Sequence, residues 1–429
     1  LLDMLRVFSG FPTALCFLFM VILCAYQGGR IALAGFLYAR AERRGWPPGI
    51  VFGLAFVASE LLYPLLFPWY FGASVHNAPV FMQVGDLGGP YAIAAVLLGS
   101  NVAIAEIVEA RMRSRAPSPR VLAIGFALPV LGLLYGLVRM SMVESAMAAA
   151  PVVKVGIAQG NQPLLGRTRA LPVHLELTEQ LRAQGAELVV WSEGAVPGLY
   201  PETAKLDLLR TRVTSKLHVP AIVGAALSRR EEGRSKYFNT ALLTDETGAV
   251  IGRYDKTYLL AFGEYLPLGE RFPILYKWSP NSGKFVPGSK LDPVKLGDHV
   301  ITTMICYEDI LPEFVNSLVR AGDPELLVNL TNDAWFGDTS EPWEHLALAK
   351  LRAVEHRRYL VRATNSGVSA IVDAVGHVVK HGDTFREETI VGDARYMRSK
   401  TLFEITGDAP VWIATILVIA MGFRARKPA

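Results

Sequence analysis

Four apolar runs ahead of residue 143 limit what this chain can fold into: roughly 11 to 39, 50 to 72, 89 to 109 and 121 to 142. Each is near or above the ~20 residues that carry an α-helix across a bilayer. Four such runs in so short a segment leave little polar surface for a fold bathed in water, so membrane spans are the better reading than buried core helices. A fifth run, about 409 to 423, is shorter. Between them, 151 to 406 alternates apolar stretches with polar turns as a folded aqueous domain does. The 51% hydrophobic content and mean hydropathy of +0.30 fit spans plus one large domain.

Basic residues orient the spans. Arg40, Arg43 and Arg44 follow the first run, Arg111, Arg113, Arg115 and Arg120 separate the third from the fourth, and Arg424, Arg426 and Lys427 lie in the tail. The stretch 73 to 88 has no Lys or Arg. By the positive-inside rule the three clusters are cytoplasmic, and 73 to 88, 143 to 408 and Leu1 lie outside. A chain that begins with Leu on that side is expected to lack an upstream piece holding an odd number of spans. The formal charge of +4 is small and its arginines sit beside apolar segments, so no nucleic-acid partner is expected. Glu60 lies inside the second run near Pro64 and Pro68, where a bare carboxylate is costly. It serves either a headgroup or interhelical contact, or pairs with backbone and water where prolines break the helix.

Downstream, the pattern predicts strands at Val152 to Ala158, Glu187 to Trp191 and Pro220 to Ala225, with a helix at about 172 to 184. A hairpin turns at Thr244-Asp245-Glu246-Thr247-Gly248. Further strands are expected at 299 to 305, 325 to 331, 359 to 364 and 368 to 380, and helices at about 309 to 320 and 343 to 357. This alternation indicates a layered α/β domain whose apolar strands are covered on both faces.

Cys16 and Cys24 lie in an apolar run and Cys306 stands far away, so no disulfide framework or paired metal motif is present. The eight histidines show no ligand spacing, and neither metal nor cofactor is expected. Glu193, Lys256 and Cys306 each stand at the end of an apolar strand, where such folds expose their chemistry. Singly, a strand-end charge is commonly just solvated and a lone cysteine is commonly a small hydrophobe. Together they supply a base, a cation and a nucleophile. A cysteine at a strand-to-helix turn is favoured as thiolate by the helix dipole and a nearby lysine. A glutamate held in an apolar wall can take the thiol proton and pass it on, and Lys256 would stabilise the oxyanion formed on attack at a carbonyl.

In that order, Glu193, Lys256 and Cys306 resemble the Glu-Lys-Cys triad of the nitrilase superfamily. The words around them, Tyr254-Asp255-Lys256-Thr257-Tyr258 through Gly263-Glu264-Tyr265-Leu266-Pro267, Cys306-Tyr307-Glu308, Asn332-Asp333-Ala334-Trp335-Phe336-Gly337 and Arg362-Ala363-Thr364-Asn365-Ser366-Gly367, closely resemble the apolipoprotein N-acyltransferase family. The resemblance implies an αββα sandwich carried on transmembrane helices. It divides the chain into helices over 1–145, a catalytic domain over 150–406, and a last helix with its tail over 407–429.

It also implies acyl transfer from a phospholipid, through a Cys306 thioester, to the N-terminal amine of a diacylglyceryl-cysteine lipoprotein. The implied setting is the bacterial inner membrane with the domain in the periplasm, and a monomer is the expected state. Glu264, Tyr307 and Glu308 match supporting residues of that family. The alternative is a membrane-tethered amidase using the same triad with water. Trp191-Ser192-Glu193 replaces the usual Trp-Pro-Glu, the arginine usually found soon after the second-run glutamate is absent at Glu60-Leu61-Leu62-Tyr63-Pro64, and the tryptophan often found after the first strand has no match. The apolar stretch from Phe262 to Trp278 is expected to form part of a lid over the acyl chain.

Overall fold

The computed structural model describes residues 12–163, 169–203, 205–231, 233–278 and 282–425. Leu1, Arg426, Lys427 and the side chain of Trp278 lie outside the described residues. The chain divides into two compact units, one containing Ala149–Ala353 and Arg358–Ser399, the other Phe19–Ala148, Val354–Arg357 and Lys400–Ala429.

In the helical unit, Thr13–Glu42, Gly85–Met112 and Pro119–Ala149 are long and apolar enough to cross a membrane. Two shorter apolar helices, Pro48–Leu62 and Ala409–Phe423, have 15 residues each and touch one another. The second apolar run therefore stops being helical at Leu62, ahead of Pro64 and Pro68, because a proline cannot donate to the helical ladder and its ring clashes with the preceding turn. The chain then runs without regular structure to a 3-10 turn at Phe71–Val75. Small residues let the long helices approach: a Cβ on Gly99 would lie 2.7 Å from the carbonyl oxygen of Gly125.

Glu60 does have an arginine partner, contrary to the reading from its neighbours in sequence. Arg30, on the preceding helix, lies 3.7 Å from its Oε1, and the backbone N–H of Phe71 donates to the same oxygen at 2.7 Å. Arg30 also donates to the Trp69 carbonyl at 2.8 Å and stacks 3.5 Å from the Trp69 ring centroid. The carboxylate thus joins two helices and the 3-10 turn that follows the second.

The other unit holds two sheets. The first is built from β1 (Val152–Gln159), β2 (Leu188–Trp191), β3 (Leu199–Pro201), β4 (Ala221–Glu231), β5 (Arg234–Thr244), β6 (Val250–Asp255) and β13 (Glu388–Arg395), in the order β13-β1-β2-β4-β5-β6 with β3 on β4. The second runs β12-β11-β10-β9-β8-β7, from β7 (Val294–Leu296), β8 (His299–Ile305), β9 (Leu326–Thr331), β10 (Tyr359–Thr364), β11 (Ala370–Val372) and β12 (Val378–His381). The strand expected over 368 to 380 is two strands, parted by a turn in which Asp373 accepts from the N–H groups of Val375 and His377. β3, β7 and β13 had no counterpart in the sequence reading.

Parallel pairing joins β1 to β2, β2 to β4, β8 to β9 and β9 to β10, so these strands are buried and nearly continuous in apolar residues. Helix Ala170–Ala183 covers β1, β2 and β13, and helix Pro312–Gly322 covers β8. The sheets meet through β1, β2 and β13 on β10, which gives the αββα layering. Buried hydrogen bonds cross the seam, with Ser369 donating to Gln159 on β1 at 2.6 Å. Trp191 anchors the first sheet's core among Leu177, Leu181 and Val223, its indole N–H donating to Thr178 at 2.9 Å.

Candidate active site

Glu193 follows β2 by two residues, Lys256 follows β6 directly, and Cys306 follows β8 directly. Lys256 is buried, with Nζ 2.8 Å from Glu264 Oε2 and 3.4 Å from Glu193 Oε1. Asn239, on β5, donates from one amide nitrogen to Glu193 Oε1 at 2.7 Å and to Glu264 Oε1 at 2.8 Å. The Leu260 N–H donates to Glu264 Oε2 at 2.8 Å. Glu264 is thus bonded through both oxygens, whereas the buried Oε2 of Glu193 accepts no hydrogen bond among the described residues.

The charges set the proton positions. Burial raises the pKa of Glu193, a rise that Lys256 opposes and Glu264 reinforces. Burial pulls Lys256 down, but Glu193 and Glu264 outweigh it and hold the ammonium well above its ordinary range. Cys306 is close enough for both signs to act on it: burial pushes the thiol well up, Lys256 pulls it down, and Glu193 and Glu264 push it up. A resting thiolate favoured by a helix dipole is therefore not what this geometry provides. The helix after Cys306 is a five-residue 3-10 turn, Cys306–Ile310, and the α-helix begins only at Pro312. The thiol keeps its proton until a base removes it, and an underbonded carboxylate of raised pKa suits that task.

Cys306 has φ +57, a left-handed conformation that an L side chain rarely adopts. Its turn is held on one side by Glu308, which is fully buried. Glu308 accepts from the Thr257 N–H at 2.7 Å, the Tyr258 N–H at 2.9 Å, the Ile305 N–H at 2.7 Å and the Tyr254 hydroxyl at 2.9 Å. The acid two residues beyond the cysteine thus ties the Cys306 turn to the Lys256 segment. Burial raises Glu308 to about 7, against the pull of Lys256. Tyr307 donates to the Leu259 carbonyl at 3.2 Å and sets its ring 5.8 Å from Lys256 Nζ. Asn329 donates to the Cys306 carbonyl at 2.9 Å.

Behind the turn lies a second charged group. Asp309, Asp333, His345 and Arg362 are all buried and bonded to one another. The histidine spacing hid the fact that Asp333, Glu341 and His345 bring ligand-type atoms within 4.8 Å of one another. The Asp333 oxygens are turned toward His345 and Arg362, so the set reads as an ion-pair network. A Cβ on Gly367 would lie 2.1 Å from Asp333 Oδ2, which explains the glycine after Asn365-Ser366. Sequence reasoning passed over Asn239, an unremarkable polar residue in an alternating strand. Asp333 and Arg362 stand in motifs that resemble the family's, but nothing in the sequence pairs them.

Residues 154–399 match the Carbon-nitrogen hydrolase family, and residues 1–103 match the Apolipoprotein N-acyltransferase N-terminal domain. A protein of Geobacter metallireducens named apolipoprotein N-acyltransferase is 31% identical over 423 residues, covering 95% of this chain and 80% of that protein. This chain belongs to the apolipoprotein N-acyltransferase family. A relative of the same name from Methylococcus capsulatus is 31% identical over 397 residues, covering 88% of this chain and 74% of its own. Among solved structures, Nit3 of Saccharomyces cerevisiae, a member of branch 10 of the nitrilase superfamily, aligns with TM-score 0.46 and 16% identity, covering 60% of this chain and 94% of that one. Family membership makes the protein an acyltransferase, and its apolar helices make it a membrane protein.

Proposed function

We propose that this chain moves an acyl chain from a membrane phospholipid to the N-terminal amine of a diacylglyceryl-cysteine lipoprotein, through a thioester on Cys306. The observation that carries the reading is the grouping of Glu193, Lys256 and Cys306 at strand ends in a chain whose first 103 residues match the N-acyltransferase N-terminal domain. Cys306 Sγ attacks the ester carbonyl carbon while Glu193 takes the thiol proton. The oxyanion forms beside Lys256, the C–O bond breaks, and Glu193 returns the proton to the departing lysophospholipid alcohol. In the second half, the α-amine attacks the thioester, Glu193 receives its proton, and the thiol leaves reprotonated. Glu264, Tyr307, Glu308 and Asn239 hold these three in place.

Two half-reactions spare the enzyme from aligning two bulky substrates at once. One chain supplies every residue, so a monomer suffices. The domain division 1–145, 150–406 and 407–429 and a multi-pass inner-membrane setting belong to the same reading. The arginine clusters at 40–44 and 111–120 favour a cytoplasmic face and a periplasmic catalytic domain. In intact spheroplasts an impermeant thiol reagent should then label a cysteine near Arg229 and spare one near Arg113; the reverse pattern inverts the topology.

Purified protein given phospholipid and a diacylglyceryl-cysteine peptide should add the mass of one acyl chain to the peptide. Without acceptor, the protein itself should gain that mass, lose it to neutral hydroxylamine, and fail to gain it as Cys306→Ala. Free fatty acid with an unmodified peptide would mean hydrolysis instead.

A further inference from the structure

We propose that His345 is a positioning residue for the nucleophile: by bridging Asp309 and Asp333 it fastens the far side of the Cys306 turn and keeps Cys306 in its left-handed conformation. The inference rests on the role given to Cys306 above and adds a residue outside the triad and its supporters.

The Cys306–Ile310 turn has two faces. Glu308 is fastened on one, and the Cys306 carbonyl is held by Asn329. Asp309 points to the other face, where its Oδ1 lies 2.9 Å from His345 Nε2 and its Oδ2 lies 3.4 Å from Arg362 Nε. The second ring nitrogen of His345, Nδ1, lies 3.0 Å from Asp333 Oδ1. Arg362 reaches both carboxylates as well, but at 3.2 Å or more, and one of its Nη groups donates to the Val368 carbonyl. The short link between the two acids is therefore the imidazole, which comes from helix Glu341–His356, while Asp333 follows β9 and Arg362 lies on β10.

Each ring nitrogen faces a carboxylate oxygen, so each must donate, and a ring that donates twice carries a positive charge. Burial and Arg362 work against that charge, but Asp309 and Asp333 prevail and raise His345 to about 10. Glu341, 4.0 Å from Nδ1, is kept protonated up to about 8 by burial and by Asp333, so it adds no third anion at neutral pH. Two carboxylates then face two cations in a balanced square. At its far end Asp333 packs closely against Gly367, where an added Cβ would lie 2.1 Å from Oδ2. Force applied to the Cys306 turn is thereby met by a strand, a helix and a neighbouring strand together.

The test uses the full-length protein, with iodoacetamide as probe and the mass of the Cys306 peptide as readout, which Cys16 and Cys24 do not contaminate. His345→Gln can satisfy only one of the two carboxylates. It should slow both Cys306 alkylation and kcat by about 10- to 100-fold, the scale of a misplaced reacting group. KM for phospholipid should stay within about twofold. Asp309→Asn keeps the side-chain shape and should show the same losses, so it carries the test should His345→Gln fail to fold. The double variant should be no worse than the worse single one, because both act through one link.

Wild-type alkylation and turnover in His345→Gln would overturn the inference, as would losses that multiply in the double variant. So would a lower melting midpoint with unchanged Cys306 reactivity per folded molecule, the mark of a purely structural role. Because alkylation needs no lipid, a wild type that acylates no peptide would count against the proposed reaction alone, and the alkylation result would still decide on His345.

Discussion

Two buried charge clusters stand on either side of the Cys306 turn, and they are built on different rules. On one side Glu193, Glu264 and Lys256 set two carboxylates against one ammonium, and an oxygen of Glu193 has no hydrogen bond among the described residues. On the other, Asp309 and Asp333 meet Arg362 and His345, with both Asp309 oxygens and both imidazole nitrogens engaged. The first has a proton to spare or to take, as chemistry requires. The second, with Glu341 protonated at neutral pH, sets two carboxylates against two cations, as a brace requires. A surplus of one sign separates the cluster proposed to react from the one proposed to hold more clearly than burial does.

The largest expected effects break this division most directly. Glu193→Gln should lower kcat by about 100- to 10,000-fold, the range for a lost general base. Lys256→Met should cost about 100- to 1,000-fold through the lost oxyanion partner. Glu193→Gln keeps the side chain's shape and should hardly move the thermal midpoint of this unit, whereas Lys256→Met leaves two buried carboxylates without their ammonium and should lower it as well. Arg362→Leu should act through stability first: it strands buried carboxylates outside the proposed chemistry and destabilises the unit by about 3–5 kcal/mol. A stable Arg362→Leu, or an unfolded Glu193→Gln, would erase the distinction.

A smaller effect sharpens it through pH. The folded His345 titrates near 10, above its ordinary 6.5, so its contribution to stability is complete below 6.5 and fades as pH rises toward 10. The groups facing it are Asp309, Asp333, Glu341 and Arg362. Denaturation midpoints taken from pH 7 to 10 should fall faster in the wild type than in His345→Gln. Parallel curves would mean that the imidazole does not carry the brace.

The smallest effect is expected on the exposed apolar side chains around Glu264 and after it. Phe262, Leu268, Phe272 and Ile274 are exposed in the stretch once read as a lid, with Leu268 at 65%. If this surface meets lipid, Leu268→Ser should raise KM for phospholipid a few-fold, while stability changes by no more than about 0.5 kcal/mol, as at other exposed positions. Unchanged kinetics would leave the stretch as mere loop.

Glu193, Lys256 and Cys306, the triad proposed here, could be singled out in the sequence because each closely follows an apolar strand, and an apolar run that stops at a charged or reactive residue can be read without knowing the fold. The Cys306 strand, His299–Ile305, was read as 299 to 305 on the same ground. The brace was not legible: 309, 333, 345 and 362 lie on four elements, and no local pattern links a helix histidine to a turn aspartate. Asn239 escaped for a similar reason, since its importance comes from two glutamates 46 and 25 residues away. Glu60 shows how a local search misleads. Its arginine was sought a few residues onward, while Arg30 reaches it from the preceding helix. The division of 368 to 380 turned on Asp373, whose side chain captures two backbone N–H groups and ends the strand.

The φ of +57 at Cys306 has a consequence for how such a chain would age. A left-handed position is one that glycine or asparagine occupies with least strain, so selection for foldedness alone has no reason to retain cysteine there. A copy released from its reaction should drift at 306 early, toward glycine or asparagine, while Asp309, Asp333, His345 and Arg362 persist as long as the sheet must stand. The order in which those positions decay would record when a lineage stopped using the enzyme and began merely carrying it.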